Sequence, residues 1–213
     1  LRSPLPPAPT RPLEVPKARP HPGVKCLTTG EDTPKHKTRN GRLFPARQEE
    51  HPRAVDKVRF IGDEVAAAAA IDPDTAAEAL ELIQVEYEEL PPVFDVLTSI
   101  KKNAPVIHET SPNNISVDRK IAYGDIKKGF AESDYVREDI FTVHPVSPAY
   151  LEPCSSLAQC DQNGRITLWT STQTPYIVQC LLASTLGMRE NDIRVIKPNV
   201  GGGFGGKMEL RPW

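Results

Sequence analysis

The pattern of apolar and polar residues becomes regular only after residue 56. Residues 58–60 alternate as in a short strand, Gly62 and Asp63 form a turn signal, and residues 65–71 are a run of small apolar side chains. Because turn residues bound this run and it is too short for a stable helix, it predicts a buried strand.

A helix is predicted directly after this strand. Asp72 or Asp74 can cap its first turn, where Pro73 is well tolerated. Four apolar residues then repeat on one helical face, namely Ala76, Ala79, Leu80 and Ile83. Residues 85–88 alternate as a second strand. We therefore expect a β-α-β unit here, with its carboxylates on a solvated face.

The second half of the chain begins with loops and then returns to regular patterns. Residues 95–123 are rich in helix and strand breakers, and His108 lies alone among them, where a structural or solvent-facing role is expected. Gly124 and Asp125 predict the start of a helix over 126–133, and residues 135–143 have a strand-like pattern.

A hairpin is predicted next. Residues 157–160 and 166–170 have the composition of strands and flank Asn163-Gly164, a pair typical of a type I′ turn. A helix should follow from Pro175 to Leu186 and end at Gly187, since proline suits a first turn and glycine a C-terminal cap.

The densest glycine cluster follows a predicted strand at 193–197. Residues 201–207, which we call the glycine loop, read Gly-Gly-Gly-Phe-Gly-Gly-Lys. Glycine adopts positive φ readily and lets another molecule approach the backbone amides with no Cβ in the way. We therefore expect a loop that grips an anionic or oxygen-rich ligand.

The glycine loop also fits two nucleotide-binding patterns imperfectly. It satisfies the spacing of a P-loop, but Met208 stands where a Ser or Thr should supply a hydroxyl to magnesium. The dinucleotide fingerprint requires a following helix and an acidic residue about twenty positions later, whereas this sequence ends at Trp213. A nucleotide-binding module and a plain glycine turn remain the alternatives.

The composition of the chain limits which classes of partner and which cellular location are expected. The formal net charge of −2 gives no electrostatic reason to expect nucleic acid or an anionic membrane as a partner. No apolar run approaches the roughly 20 residues of a membrane span, and no secretory signal is present, so we expect a cytoplasmic protein. The four cysteines form no C-x-x-C pair and are expected to be reduced thiols.

Residues 1–56 differ from the rest because they hold eleven of the 22 prolines. Proline removes amide donors and blocks helices, so an extended or disordered segment is predicted, with one short strand over residues 23–30. A proline-rich arm for a partner domain would make the chain a non-catalytic interaction protein, which is the third functional alternative.

An ordered set of motifs carries a family resemblance. Tyr150-Leu151-Glu152-Pro153, an Asn-Gly hairpin, Ser171-Thr172-Gln173, a helix, a strand and the glycine loop follow one another. In this order they resemble the molybdenum-binding large subunit of the xanthine dehydrogenase and aldehyde oxidase family, which includes 4-hydroxybenzoyl-CoA reductase and carbon monoxide dehydrogenase. The resemblance implies an α+β fold, in which the end of an α/β hammerhead domain precedes the start of a molybdopterin-binding domain.

The resemblance also implies a division of the chain. Residues 1–56 would be an irregular, partly hammerhead-like segment, 57–120 the C-terminal part of the hammerhead domain, 121–134 a linker with a helix, and 135–213 a truncated molybdopterin-binding domain. Because residue 1 is Leu and the end is abrupt, we expect a fragment that is inactive alone. Residues 5–19 match nothing in the family, and our hypothesis is that they, with 39–53, are translated out of frame.

The site residues follow from the resemblance. It implies that Gln173 hydrogen-bonds an oxygen ligand of molybdenum and that the backbone of Gly203, Phe204 and Gly205 lies against the cofactor. The metal would have no protein ligand, since the pterin dithiolene holds it. Met208 stands where xanthine dehydrogenases have a substrate-binding Glu, which argues against a purine substrate. The catalytic glutamate of the family would lie beyond this chain.

For Gln173 and Glu152, structural roles must also be considered. Gln173 could instead cap the helix that starts at Pro175. Glu152 is expected to be structural and to fix the turn before the hairpin.

The implied cofactor is molybdopterin, either simple or in its cytosine dinucleotide form. A [2Fe-2S] subunit and an FAD-binding subunit are the implied partners, in a dimer of heterotrimers. The implied reaction oxidises or reduces an aldehyde, an N-heteroaromatic compound or an aromatic CoA ester, with electrons passing through the partner subunits.

Overall fold

The computed structural model describes residues 1–9, 15, 17–34 and 51–208. In chain order the helices and strands are β1 (Ala8–Pro9), β2 (Val24–Thr29), β3 (Lys57–Val58), β4 (Ala66–Ala70), α1 (Pro73–Glu81), α2 (Val96–Ser99), α3 (Ile126–Ala131), β5 (Ser156–Cys160), β6 (Ile166–Thr170), α4 (Pro175–Leu186) and β7 (Ile193–Ile196), with a 3-10 turn at Glu190–Asp192. None of the described helices combines the length and apolar character that a membrane span requires.

The first region of regular structure is built on the antiparallel pair β2 and β4, in which Thr29 lies opposite Ala66. Helix α1 follows β4 and packs against it. Asp72 caps α1 by accepting a hydrogen bond from the Thr75 amide at 2.8 Å. The predicted strands at 23–30 and 65–71 and the capped helix after them are thus confirmed.

The predicted β-α-β unit is wrong. β4 pairs with β2, which precedes it, and residues 85–88 hold only an isolated bridge position. These residues run beside the proline-rich segment, where the amides of Glu88 and Leu90 donate to the carbonyls of Pro9 and Pro7, each at 3.2 Å. Because proline has no N–H to donate in return, a regular ladder does not form there.

Part of the proline-rich segment is packed and extended, so of the two predicted states, extended or disordered, the disordered one is wrong for these described residues. β1 pairs with β3, and Ala8 lies opposite Val58. Both residues belong to a buried cluster with Ala54 and Val65. A second buried cluster contains Ala18, Leu27, Ala66 and Ile83. β1 therefore lies within residues 5–19, of which residues 10–14 and 16 lie outside the described ranges, as does most of 39–53.

The middle of the chain is mostly irregular. Sequence reasoning missed α2, which Asp95 caps through the Thr98 amide at 2.7 Å. It correctly predicted α3 with Asp125 as its cap, although α3 ends at Ala131. The predicted strand over 135–143 is wrong, because these described residues are exposed and pair with no strand. An alternating pattern forms a strand only where another strand supplies hydrogen-bond partners.

The second region of regular structure is a three-stranded sheet in the order β5-β6-β7. β5 and β6 form the expected antiparallel hairpin, with Cys160 opposite Ile166. β6 and β7 are parallel, with Ile166 opposite Ile193, and α4 is the crossover between them. Helix α4 ends at Gly187, whose φ of 65° is the left-handed cap that the sequence predicts.

The hairpin turn differs from the predicted type I′. Only Gly164 has positive φ, at 78°, while Asn163 does not. The Gly164 amide donates to the Asp161 carbonyl at 3.0 Å and the Asp161 amide to the Arg165 carbonyl at 2.9 Å, which defines a three-residue loop with a glycine bulge. The Asp161 carboxylate also accepts from the Asn163 amide at 2.9 Å, and this side-chain bond favours the observed turn.

Candidate functional site

The parallel pairing of β6 and β7 brings two distant segments together. β6 ends at Thr170 and is followed by Gln173, and β7 ends at Ile196 and is followed by the glycine loop. The carboxyl ends of parallel strands lie at the same sheet edge, where ligands of α/β proteins commonly bind. The Gln173 amide donates to the Lys207 carbonyl at 2.8 Å, so the two segments are in direct contact.

The Gln173 side chain holds the glycine loop. Its Oε1 accepts hydrogen bonds from the amides of Gly205, at 3.0 Å, and Lys207, at 3.2 Å. Thr174, not Gln173, is the residue that caps α4, and it does so without a side-chain hydrogen bond. The alternative that Gln173 caps the helix is therefore wrong.

A tight turn forms the tip of the glycine loop. The Gly206 amide donates to the Gly203 carbonyl at 2.7 Å, and the two residues between them, Phe204 and Gly205, have φ of 49° and 87°. Positive φ at both central positions is the signature of a type I′ turn. It is unusual for a bulky side chain, yet Phe204 adopts it with 76% of the residue exposed. Strained exposed residues of this kind concentrate at binding sites.

The loop presents hydrogen-bond donors. Within the described ranges, the amides of Gly202, Gly203 and Phe204 donate to no acceptor, and the same holds for Nε2 of Gln173. A Cβ on Gly203 would lie 2.5 Å from Oε1 of Gln173, so a larger residue there would displace that carboxamide. Donors without acceptors, two of them on glycines that have no side chain, suit an oxygen-rich group such as molybdopterin.

An ion pair that sequence reasoning missed closes the loop. Oε2 of Glu152 accepts from the Gly201 amide at 2.7 Å and from Nζ of Lys207 at 2.6 Å. The Lys207 side chain is fully buried, and its Nζ lies 4.6 Å from the centroid of the Tyr150 ring. These hydrogen bonds, first that from Lys207 and then that from the Gly201 amide, lower the pKa of the Glu152 carboxyl.

This pair changes two expectations. The carboxylate of Glu152 binds the glycine loop, 49 residues later in the chain, and its expected structural role at the turn before the hairpin stays a prediction. In a P-loop the lysine must reach a phosphate. The buried ammonium of Lys207 is already bound to Glu152, so the geometry disfavours the nucleotide-binding alternative. A contact between residues so far apart leaves no local signal in the sequence.

Met208 lies beside this site. Its carbonyl accepts a hydrogen bond from the Thr174 hydroxyl at 2.6 Å, and the residue is 40% exposed. Its contact with substrate stays a prediction. Residues 209–213, where the resemblance and the dinucleotide fingerprint continue, lie outside the described ranges.

Two family models match nearly the whole chain. Residues 1–91 match the a/b hammerhead domain of aldehyde oxidase and xanthine dehydrogenase. Residues 107–213 match the molybdopterin cofactor-binding domain. The chain belongs to the aldehyde oxidase and xanthine dehydrogenase family. The α+β fold with a hammerhead domain before a molybdopterin-binding domain is thereby confirmed, and the match to residues 1–91 includes the stretch 5–19 that was expected to match nothing.

Individual members of the aldehyde oxidase and xanthine dehydrogenase family are similar over most of the chain. The large molybdopterin subunit of nicotinate dehydrogenase from Eubacterium barkeri is 34% identical, over 99% of this chain and 48% of that subunit. The carbon monoxide dehydrogenase large chain from Afipia carboxidovorans is 33% identical, over 92% of this chain and 26% of its own length. The crystal structure of quinoline 2-oxidoreductase from Pseudomonas putida 86 superposes with a TM-score of 0.87 at 30% identity, covering all of this chain and 28% of that one.

This chain therefore spans between about a quarter and about half of the length of these family members. The finer division at residues 56, 120 and 134 stays a prediction.

Proposed function

We propose that this chain supplies part of the molybdopterin-binding surface of a molybdenum-dependent oxidoreductase. The observation that carries the proposal is the orientation of the Gln173 carboxamide. Its oxygen is occupied by two glycine-loop amides, which leaves its Nε2 as a donor toward a ligand. Three loop amides without an acceptor in the described ranges belong to the same segment.

Each predicted site residue then has a distinct task. Nε2 of Gln173 donates to an oxygen of the cofactor, and the amides of Gly203 and Phe204 donate beside it. Gly205 has a different task, because its N–H already donates to Gln173. A Cβ at Gly205 would point into open space, so the absence of a side chain there lets the cofactor approach the backbone closely. Molybdopterin, when bound, supplies the two-electron redox chemistry, with its own dithiolene holding the metal.

The substrate is proposed to be an N-heteroaromatic compound. Among the similar proteins are nicotinate dehydrogenase, nicotine 6-hydroxylase and quinoline 2-oxidoreductase, and each is named after a compound with an N-heteroaromatic ring. Met208 offers an apolar side chain, which suits an aromatic ring better than a carboxylate would. Aldehydes and aromatic CoA esters are the other classes that a substrate screen must include.

The remaining parts of the proposal concern the whole protein. An iron-sulfur subunit with [2Fe-2S] centres and an FAD-binding subunit would take the electrons, in a cytoplasmic dimer of heterotrimers. The cofactor is proposed to be either simple molybdopterin or its cytosine dinucleotide form. Analysis of the released pterin distinguishes the two.

The test compares two isosteric substitutions in the complete gene product, purified with its co-expressed partners. Gln173→Glu keeps an oxygen for the Gly205 and Lys207 amides but removes the Nε2 donor. Gln162→Glu adds the same charge in the exposed hairpin turn and serves as the control. We expect molybdenum near one per subunit in the wild type and in Gln162→Glu, and at least a tenfold loss in Gln173→Glu.

A folded wild-type protein that contains neither molybdenum nor pterin would refute the proposed function. Full molybdenum retention in Gln173→Glu would refute the donor role of Gln173 alone. Turnover of nicotinate and quinoline, measured beside xanthine, an aldehyde and an aromatic CoA ester, then decides the substrate class.

A further inference from the structure

We propose that Glu152 and Lys207 are positioning residues, whose ion pair, with its lysine buried, holds the glycine loop in its cofactor-binding shape before any cofactor arrives. This inference rests on the proposed function and adds to it two residues that touch the loop from behind. We call the pair the Glu152–Lys207 clasp.

The clasp joins the two ends of the glycine loop at one atom. Oε2 of Glu152 accepts from the amide of Gly201, the first residue of the loop, and from Nζ of Lys207, the last residue. The amides of Gly202, Gly203 and Phe204 lie between these two anchors in sequence. The position of a single carboxylate oxygen therefore restricts the path of the segment that presents the donors.

Steric fit on the same side supports this role. A Cβ on Gly201 would lie 2.7 Å from Cβ of Glu152, and a Cβ on Gly206 would lie 2.7 Å from Cε1 of Tyr150. Residues 150–152 thus contact the loop near both of its ends. Glycine at these two positions allows the close contact, and the ion pair fixes it.

The burial of Lys207 makes the pair an obligatory contact. Its side chain is fully buried, whereas that of Glu152 is 32% exposed. A buried ammonium is stable only when it is paired and hydrogen-bonded, and within the described ranges Glu152 is the carboxylate that the structure pairs with it. Movement of the loop away from residues 150–152 would separate the pair and leave this charge uncompensated. The clasp therefore opposes opening of the loop.

Lys57 offers a matched control elsewhere in the fold. Its side chain is 11% exposed, and its Nζ lies 2.8 Å from Oε1 of Glu109, so it is also a buried lysine paired with one carboxylate. Among the described residues, neither Lys57 nor Glu109 forms a hydrogen bond or an ion pair with the glycine loop. Lys57→Met therefore removes a comparable ion pair without touching the proposed site.

The experiment compares four forms of the complete gene product with its partners, namely wild type, Lys207→Met, the double variant Glu152→Gln with Lys207→Met, and Lys57→Met. Three quantities are measured in each form: molybdenum per subunit, the rate of pterin release, and hydrogen exchange of peptides that cover the glycine loop. The midpoint of thermal unfolding is recorded so that variants of equal stability are compared.

We expect Lys207→Met to release pterin at least tenfold faster and to exchange loop amides at least tenfold faster than the wild type. Lys57→Met should keep the wild-type rates of pterin release and of loop-amide exchange, even where it loses as much thermal stability as Lys207→Met. The double variant leaves no charge unpaired, yet it should remain as defective as Lys207→Met because the clasp is still absent.

Two results would overturn the proposal. The first is wild-type loop exchange and pterin retention in the double variant, which would mean that Glu152 only neutralises a buried charge. The second is an equal defect in Lys57→Met, which would mean that general destabilisation is the cause. A wild-type protein without pterin would refute the proposed function instead, and loop exchange would still decide whether the clasp exists. If Lys207→Met fails to fold, the double variant provides the same comparison.

Discussion

Replacing Gly203 by alanine should release the Gln173 side chain from the glycine loop. The added Cβ would lie 2.5 Å from Oε1 and 2.6 Å from Cδ of Gln173, far inside contact distance. Gly203 does not have positive φ, so alanine introduces no backbone strain at this position. The collision is with a side chain that can rotate, and the carboxamide should therefore move away while the sheet remains folded.

The size of the effect follows from the contacts that are lost. Oε1 of Gln173 accepts from the amides of Gly205 and Lys207. Two hydrogen bonds at about 1 kcal/mol each give about 2 kcal/mol in favour of the open loop. Since 1.4 kcal/mol corresponds to a factor of ten, the two amides should exchange roughly 30-fold faster. The Gly206 amide bonds the Gly203 carbonyl and should change less.

Hydrogen exchange with residue-level fragmentation measures this difference in the complete gene product. Gly129→Ala is the matched control, because a Cβ at Gly129 meets nothing within 4 Å and its φ is not positive. That variant should leave loop exchange unchanged. Unchanged exchange at Gly205 and Lys207 in Gly203→Ala would show that Gln173 does not hold the loop, and the orientation of its carboxamide would then lose its support.

Two further predictions concern residues outside the candidate site. Gly30→Ala should lower the free energy of unfolding by about 3 kcal/mol or more, because the added Cβ would overlap the backbone carbonyl of Ala54. Gly62→Ala is the control, since a Cβ there has open space and only the positive φ of 95° opposes it. Equal unfolding midpoints for the two variants would contradict this prediction. The hydrogen bond from Lys57 lowers the pKa of Glu109 to about 2 from 4.5, so the pair stabilises the fold fully above pH 4.5 and loses this effect as the pH falls toward 2. Because Glu109 is 66% exposed, solvent screening reduces the effect to about 1 kcal/mol. Unfolding midpoints from pH 6 to pH 3 should therefore fall less in Glu109→Gln than in the wild type, and parallel curves would refute the assignment.

Features set by neighbouring residues could be predicted from the sequence. Helix α1 begins where Asp72 accepts from the Thr75 amide, and α4 ends at Gly187. Each of these signals acts within one helical turn, so no distant contact is needed to read it. The turn at Asn163-Gly164 shows the limit of such reasoning, because its type differs where the Asp161 carboxylate accepts hydrogen bonds from the amides of Asn163 and Arg165.

The site could be predicted only in part. The resemblance selected Gln173 and the glycine loop, and the parallel pairing of β6 with β7 explains why they meet. The resemblance gave no orientation for the Gln173 carboxamide, because that orientation depends on two backbone amides more than 30 residues away in the chain.

The sequence by itself determined the family, the cap of α1, the end of α4 and the choice of Gln173 and the glycine loop as candidates. Tertiary structure alone decided that β4 pairs with β2, that Ala8 and Ala18 are buried, and that Lys207 binds Glu152. These features join residues that are far apart in the chain, and their stability comes from burial and from hydrogen-bond partners that exist only after folding. A charge such as that of Lys207 looks solvent-exposed in a sequence, and only the packed fold shows which carboxylate it requires.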